Sequence, residues 1–257
     1  MAIQAKTAVP SAAANGKNGH SLISDAKFRQ LYGLALRLQL LAREGSASGK
    51  AESGKRKPGA SVRDHAAALA GVAADLHEGD ALLAEHPSRV WDVLRGDLKV
   101  NVTSPEGNAL EVQIVDALSR ATADRLRRNG HVTVLFFPGD AAQAVIAEAH
   151  AMASGSKLPV LFVEEGVDAA PAKKRTAVQH EMPAIPVDVH DVIAMYRVAH
   201  ESIARAREGT GPTRIVCLEV PAVAGHTADA VGDLERWLEA RGLPAHDWRQ
   251  EIVAGMN

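Results

Sequence analysis

Apolar positions along this chain follow two rhythms, and the change between them near residue 130 predicts the architecture. In the first half they recur every three to four residues. Ser24 can cap a helix over 24–43 with Phe28, Leu31, Ala35 and Leu38 on one face, and Ser61 can cap a second through "VRDHAAALAGVAADL". That second helix is rich in Ala and Gly, so it packs close to a neighbour. A short helix "RVWDVLRG" starts at Ser88 and would end at Gly96, and a long amphipathic helix spans 108–128, stopped by Asn129-Gly130. The second half reads as short continuous apolar runs separated by helical patterns. Strands are expected at 132–137, 159–165, 185–189 and 213–220, with helices at 141–154, 191–208, 229–241 and 244–254. Continuous β-branched strands alternating with helices imply a parallel sheet buried on both faces. The expected fold class is α/β, a three-layer parallel sheet with helices on both faces.

Two segments break both rhythms. Residues 1–20 are small and polar, with no period and no aromatic, so they cannot repay the entropy of ordering and are expected to form a disordered tail. Residues 45–61, "GSASGKAESGKRKPGAS", read as a mobile surface loop inside a single α/β domain over 21–257.

Composition narrows the function classes. A chain of 257 residues is long enough for one domain with a sizeable core. With 29 Lys+Arg against 31 Asp+Glu it has no basic footprint for nucleic acid or an anionic membrane. No apolar run approaches the roughly 18 residues of a spanning helix, and the first residues lack the apolar core of a secretory signal. A single cysteine, Cys217, excludes an internal disulfide and suits a reducing compartment. A soluble, cytoplasmic protein is expected.

In open parallel sheets, ligands bind outside the carboxyl ends of the strands. Those ends carry Gly139-Asp140, Glu164-Glu165-Gly166, Asp188-His190-Asp191 and Gly225-His226. At the first, "VTVLFFPGDAAQAV" runs a strand into a helix through Pro-Gly-Asp. There, backbone N–H groups and the positive end of the helix could face an anion while Asp140 ligates magnesium. Pro-Gly-Asp is also a common turn in which the aspartate caps the next helix. Both readings stay open at this stage. Of Glu164 and Glu165 only one can face a common site, because adjacent strand side chains point opposite ways. His180, His190 and His200 stand ten apart, which is not ligand spacing, and read as surface histidines. Cys217 lies mid-strand with no basic neighbour and should pack as an inert apolar group. "HEGD" at 77–80 reads as a helix-end turn.

Taken in order, "LYGLALRLQLLAREG", "DHAAALAGVAADLHEGDALL", "VLRG", "VTVLFFPGD", "LPVLFVEEG", "IPVDVHDVIAMYRVAHESIARAREGTGPTRIVCLEV" and "AGHTADAVGDLERWLEARG" resemble the alpha subunit of thiamine diphosphate-dependent 2-oxo acid dehydrogenases of the pyruvate and branched-chain type. The resemblance implies a thiamine diphosphate-binding fold and thiamine diphosphate with magnesium as cofactors. It also implies a beta-subunit-like partner chain or self-association. Carried over by position, it makes Asp140 the metal ligand, Gly139, Asp140, Glu165 and Gly166 the cofactor-binding residues, and His226 of "GHT" the active-site histidine. The bland alternative for His226 is a solvent-exposed loop histidine.

The family pattern opens on Gly-Asp-Gly and closes about thirty residues later on Asn-Asn, whose second Asn is a metal ligand. Here the opening reads Gly139-Asp140-Ala141 and the closing pair reads Gly166-Val167. The family's Tyr-Arg pair, spaced from Asp80 and from Arg95-Gly96, falls on His86-Pro87. Its Gly-Gln-Glu-Ala signature falls on "DHAA", with Ala66 at the glutamate, and the glycine-rich stretch expected between Gly96 and His131 is replaced by other sequence. Two functions follow as expectations. The first is a cofactor-deficient interaction or regulatory homologue. The alternative is an active decarboxylating oxidoreductase subunit that binds thiamine diphosphate and magnesium together with a beta subunit.

Overall fold

The computed structural model describes residues 23–47, 62–84, 88–103, 110–141, 143–168, 182–220 and 229–256. The expected tail, most of the 45–61 loop, His86-Pro87, His180 and His226 lie outside them. Among the described residues the helices are α1 Asp25–Ala47, α2 Val62–Ala73, α3 Ser88–Leu98, α4 Leu110–Arg127, α5 Gln143–Gly155, α6 Val192–Arg207, α7 Ala230–Ala240 and α8 Ala245–Ala254. The strands are β1 Ala81–Leu83, β2 Asn101–Thr103, β3 Thr133–Pro138, β4 Val160–Asp168, β5 Ala184–Asp188 and β6 Thr213–Glu219. They form one six-stranded sheet, all parallel, in the order β2-β1-β3-β4-β6-β5.

The three layers follow from strand alternation. Val134, Phe136, Leu161, Val163, Ile215 and Cys217 project into one core with α1, α2, α6, α7 and α8. Leu135, Phe137, Val160 and Phe162 project into a second core with α4 and α5. Successive side chains on one strand thus feed opposite cores, which is why these strands read as unbroken apolar runs.

Where the capping residues are described, which leaves out Ser61, the helices match their signals with two exceptions. Ser24 Oγ accepts from the Lys27 N–H at 3.2 Å and so opens α1. Asp191 opens α6 by accepting from the Ala194 N–H at 2.8 Å, and Asp229 opens α7 through Gly232. Gly96, however, does not end α3, which runs on to Leu98 and stops where Lys99 turns left-handed. An isolated glycine weakens a helix by only about 1 kcal/mol, too little to terminate one whose apolar face is packed. The second exception is the reach of α1, which continues to Ala47 rather than stopping near Arg43.

Burial of α1 also corrects the single-face reading. The six consecutive residues Leu31 to Leu36 are all buried, so the helix is covered all round by α2, α3, α6, α7 and α8. α2 is pressed against α6 so closely that a Cβ on Gly71 would lie 2.7 Å from Met195 Cγ. The apolar faces of α1 and α2 are therefore used inside the chain.

Strands β1 and β2 have no counterpart in the expected set, because three residues are too few to show a period. Their place is fixed by Asp80, which is 1% exposed. Its carboxylate accepts from the N–H groups of Val132 at 2.8 Å and His77 at 2.7 Å, and pairs with Arg207. "HEGD" is thus a turn, as its composition implies, and its aspartate ties β1, β3 and the end of α6 together at the edge of the sheet opposite the strand carboxyl ends.

Candidate functional site at the strand carboxyl ends

The carboxyl ends of β3, β4 and β6 lie side by side at the centre of the sheet, with β5 beyond β6. β3 leaves the sheet through Pro138-Gly139-Asp140, a turn closed by the Ala141 N–H donating to the Pro138 carbonyl at 3.0 Å. Asp140 is exposed at its tip. Gly139 is held against β4: its N–H donates to the Glu165 carbonyl at 2.6 Å. A Cβ on residue 139 would stand 2.7 Å from Val167 Cγ2, 2.9 Å from that carbonyl and 3.5 Å from Glu164 Oε1. Only glycine has room there, because the neighbouring strand end fills the space.

β4 reaches this contact through a bulge. Its register against β6 shifts between Glu164 and Val167, and Gly166 takes φ +70°, a backbone that L side chains rarely adopt. After the shift Val167 pairs with Leu218 and is 5% exposed. Glu164 and Glu165 sit just before the bulge and are both buried, at 3% and 9% exposure. Glu164 lies on the α4/α5 face with Phe162, where Arg214 of β6 approaches it, Nε to Oε2 at 3.5 Å. On the same face the buried ring of His150 stands edge-on to Phe162, with centroids 4.6 Å apart. Arg214 was invisible as a site residue from sequence; the signal available was an arginine inside the apolar run "TRIVCLEV", which implies an acid across the sheet.

The remaining positions fall as follows. Cys217 is fully buried on β6, and burial, followed by the charges of Glu165 and Glu164, pushes its thiol well above the ordinary range. Such a thiol is protonated and unreactive. His190 corrects the surface reading, since its ring is 16% exposed and its Nδ1 lies 3.2 Å from Asp188 Oδ1 at the end of β5. His200 is exposed and bonds Asp75, just after α2. Ala66, at the position of the family glutamate, is buried in the helical core. Glu165 meets Gly139 through its backbone carbonyl.

Among the described residues, one further group has donors close enough for a cation. Glu235, Glu239 and His246 hold ligand atoms within 4.8 Å of one another where α7 meets α8. Glu235 is already engaged, accepting from Arg249 Nε and the Tyr32 hydroxyl, each at 2.8 Å.

A six-stranded parallel sheet with helices on both faces defines an α/β protein of the three-layer type, with a polar row at its central strand ends. The chain belongs to the dehydrogenase E1 component family, whose model matches residues 98–229, just over half its length. Among curated relatives, the alpha subunit of acetoin:2,6-dichlorophenolindophenol oxidoreductase from Bacillus subtilis is 27% identical over 59% of this chain and 57% of that protein. The alpha subunit of 3-methyl-2-oxobutanoate dehydrogenase from Mycobacterium tuberculosis is 26% identical over 72% and 60%. The acetoin:2,6-dichlorophenolindophenol oxidoreductase alpha subunit of Cupriavidus necator is 36% identical over 38% and 33%. The chain therefore spans under two thirds of the length of the relatives it matches. A solved chain from Mycobacterium smegmatis, assigned as a thiamin diphosphate-dependent enzyme, aligns at TM-score 0.44 and 17% identity over 61% of this chain and 32% of that one.

Proposed function

We propose that this chain is a dehydrogenase alpha-type component that does not anchor thiamine diphosphate and magnesium itself, and that it serves as an interaction or regulatory partner of a beta-subunit-like chain. The observation that carries this reading is the contact between β3 and β4. Magnesium asks for six oxygen-type donors in near-octahedral array. Where the family pattern puts the second protein ligand, this chain puts the buried isopropyl group of Val167, in contact range of Gly139. The Gly139 N–H, which would face a phosphate, donates to the Glu165 carbonyl instead. Charge argues the same way. The strand ends carry Asp140, Glu165, Asp188 and Glu219 against His190, and a row of carboxylates repels a diphosphate. Among the described residues the donor set does not fit the cofactor.

Asp140 retains the place of the family's metal ligand on an exposed turn. It favours the second reading, an active subunit in which Gly139, Asp140, Glu165 and Gly166 hold the cofactor and His226 acts at the reacting centre. Calorimetry separates the two readings. Thiamine diphosphate with magnesium titrated into wild type and into Asp140→Asn should give no heat from either. Tight wild-type binding that Asp140→Asn abolishes would overturn the proposal and establish the second reading.

A further inference from the structure

On α4, the residues Ile114, Ala117, Leu118 and Ala121 are buried in the second core. On the opposite side, Val112, Val115, Ser119, Thr122 and Leu126 form a straight stripe at alternating spacings of three and four. All five are exposed, with Val112 at 52%, Val115 at 63% and Leu126 at 79%. This three-four spacing is the seam along which helices pair side by side, and here it runs about 21 Å at 1.5 Å per residue. Apart from Leu126 at its end, the side chains along it are small or β-branched, which permits close approach of another helix.

The charges beside the stripe are distributed by end. Acidic Glu111 and Asp116 flank its first half, and basic Arg125 and Arg127 flank its second. Glu111 and Arg125 lie on one flank, with Asp116, Arg120 and Arg127 on the other. A parallel copy would set acid beside acid and base beside base. An antiparallel copy, related by a two-fold axis near Ser119, sets Glu111 of each chain beside Arg125 of the other. It also brings Asp116 of each toward the basic half of its partner. The surface is thus complementary to itself in one orientation only, the condition for an isologous contact.

We propose that the outer face of α4 is a docking surface for a second copy of this chain, paired antiparallel along Val112, Val115, Ser119, Thr122 and Leu126. A contact built on one helix from each partner lies at the small end of specific interfaces, so the dimer should form in the micromolar range. The inference is independent of whether the strand ends hold a cofactor.

Sedimentation velocity of the full chain tests it. Wild type should be dimeric at about 100 μM, a concentration chosen for an interface of this size. Val115→Asp should be monomeric at the same concentration with unchanged melting temperature, since the side chain is exposed. Glu111→Lys should weaken the dimer by roughly tenfold or more, because the two-fold axis counts each substitution twice and sets like charges together. Adding Arg125→Glu should restore it. A monomeric wild type, or a dimer indifferent to Val115→Asp, overturns the proposal. So does binding of some other chain at this face while wild type alone stays monomeric. A double substitution that fails to rescue overturns the antiparallel pairing.

Discussion

Replacing Asp80 by alanine should destabilise the chain more than any exposed substitution, and the cost can be worked from its three partners. The Val132 N–H is fully buried, so it loses its only acceptor without gaining water, at about 1–3 kcal/mol. Arg207, 23% exposed, loses a charge-assisted bond of about 1.5–3 kcal/mol, part of which water returns. The His77 amide belongs to an exposed residue and adds little. The sum, about 3–5 kcal/mol, agrees with the usual cost of leaving one member of a buried ion pair alone. It is a large share of the roughly 5–15 kcal/mol that holds a domain together. Asp80→Asn keeps an oxygen for one amide and should cost less than half as much. Urea unfolding followed by circular dichroism reads both values from the midpoint at constant slope. An alanine variant within about 1 kcal/mol of wild type would refute the reasoning, because β1 would then be held by its ladder alone.

Two other outcomes follow from the ion pairs. Partial burial pushes the Asp75 carboxyl up, but hydrogen bonds from His200 and Lys27 and their charges outweigh it and hold it below its ordinary 3.8. Glu235 is likewise held below 4.5, with burial opposed by Arg249 and Tyr32. A depressed carboxylate contributes stability that is present above the unfolded value and lost as pH falls through the folded one. Asp75→Asn should therefore lower the urea midpoint at pH 7 and lower it progressively less as pH falls below the ordinary 3.8, and equal losses at all pH values would count against the pairing. Arg214→Met should cost about 3 kcal/mol by removing the positive charge that faces the buried Glu164, and Glu164→Leu in the same chain should recover most of it. If the double variant is no more stable than the single, the two side chains do not act as a pair.

The central part of this molecule could be read from its residues. β3, β4, α6 and β6 announce themselves because a strand buried on both faces must be apolar at every position, while a surface helix repeats every 3.6 residues, and neither demand depends on what lies far away in the chain. The strand-end row was legible for the same reason, since parallel strands place all their carboxyl ends on one edge. Family membership could be read too, because runs such as "LPVLFV" and "GTGPTRIVCLEV" serve a strand and its turn at once. Tertiary structure decided the rest. β1 and β2 exist only as partners of β3, three residues each, positioned by a carboxylate whose ligands lie 52 and 127 residues away. The insertion of β6 between β4 and β5 is a crossover that no local pattern records. A one-residue shift at Gly166 turns Val167 toward β3, and a period-two reading of β4 places that side chain on the wrong face. Propensity and periodicity are local quantities. Which buried acid meets which arginine, and which face of α4 is left exposed among the described residues, are settled only when the layers close on one another.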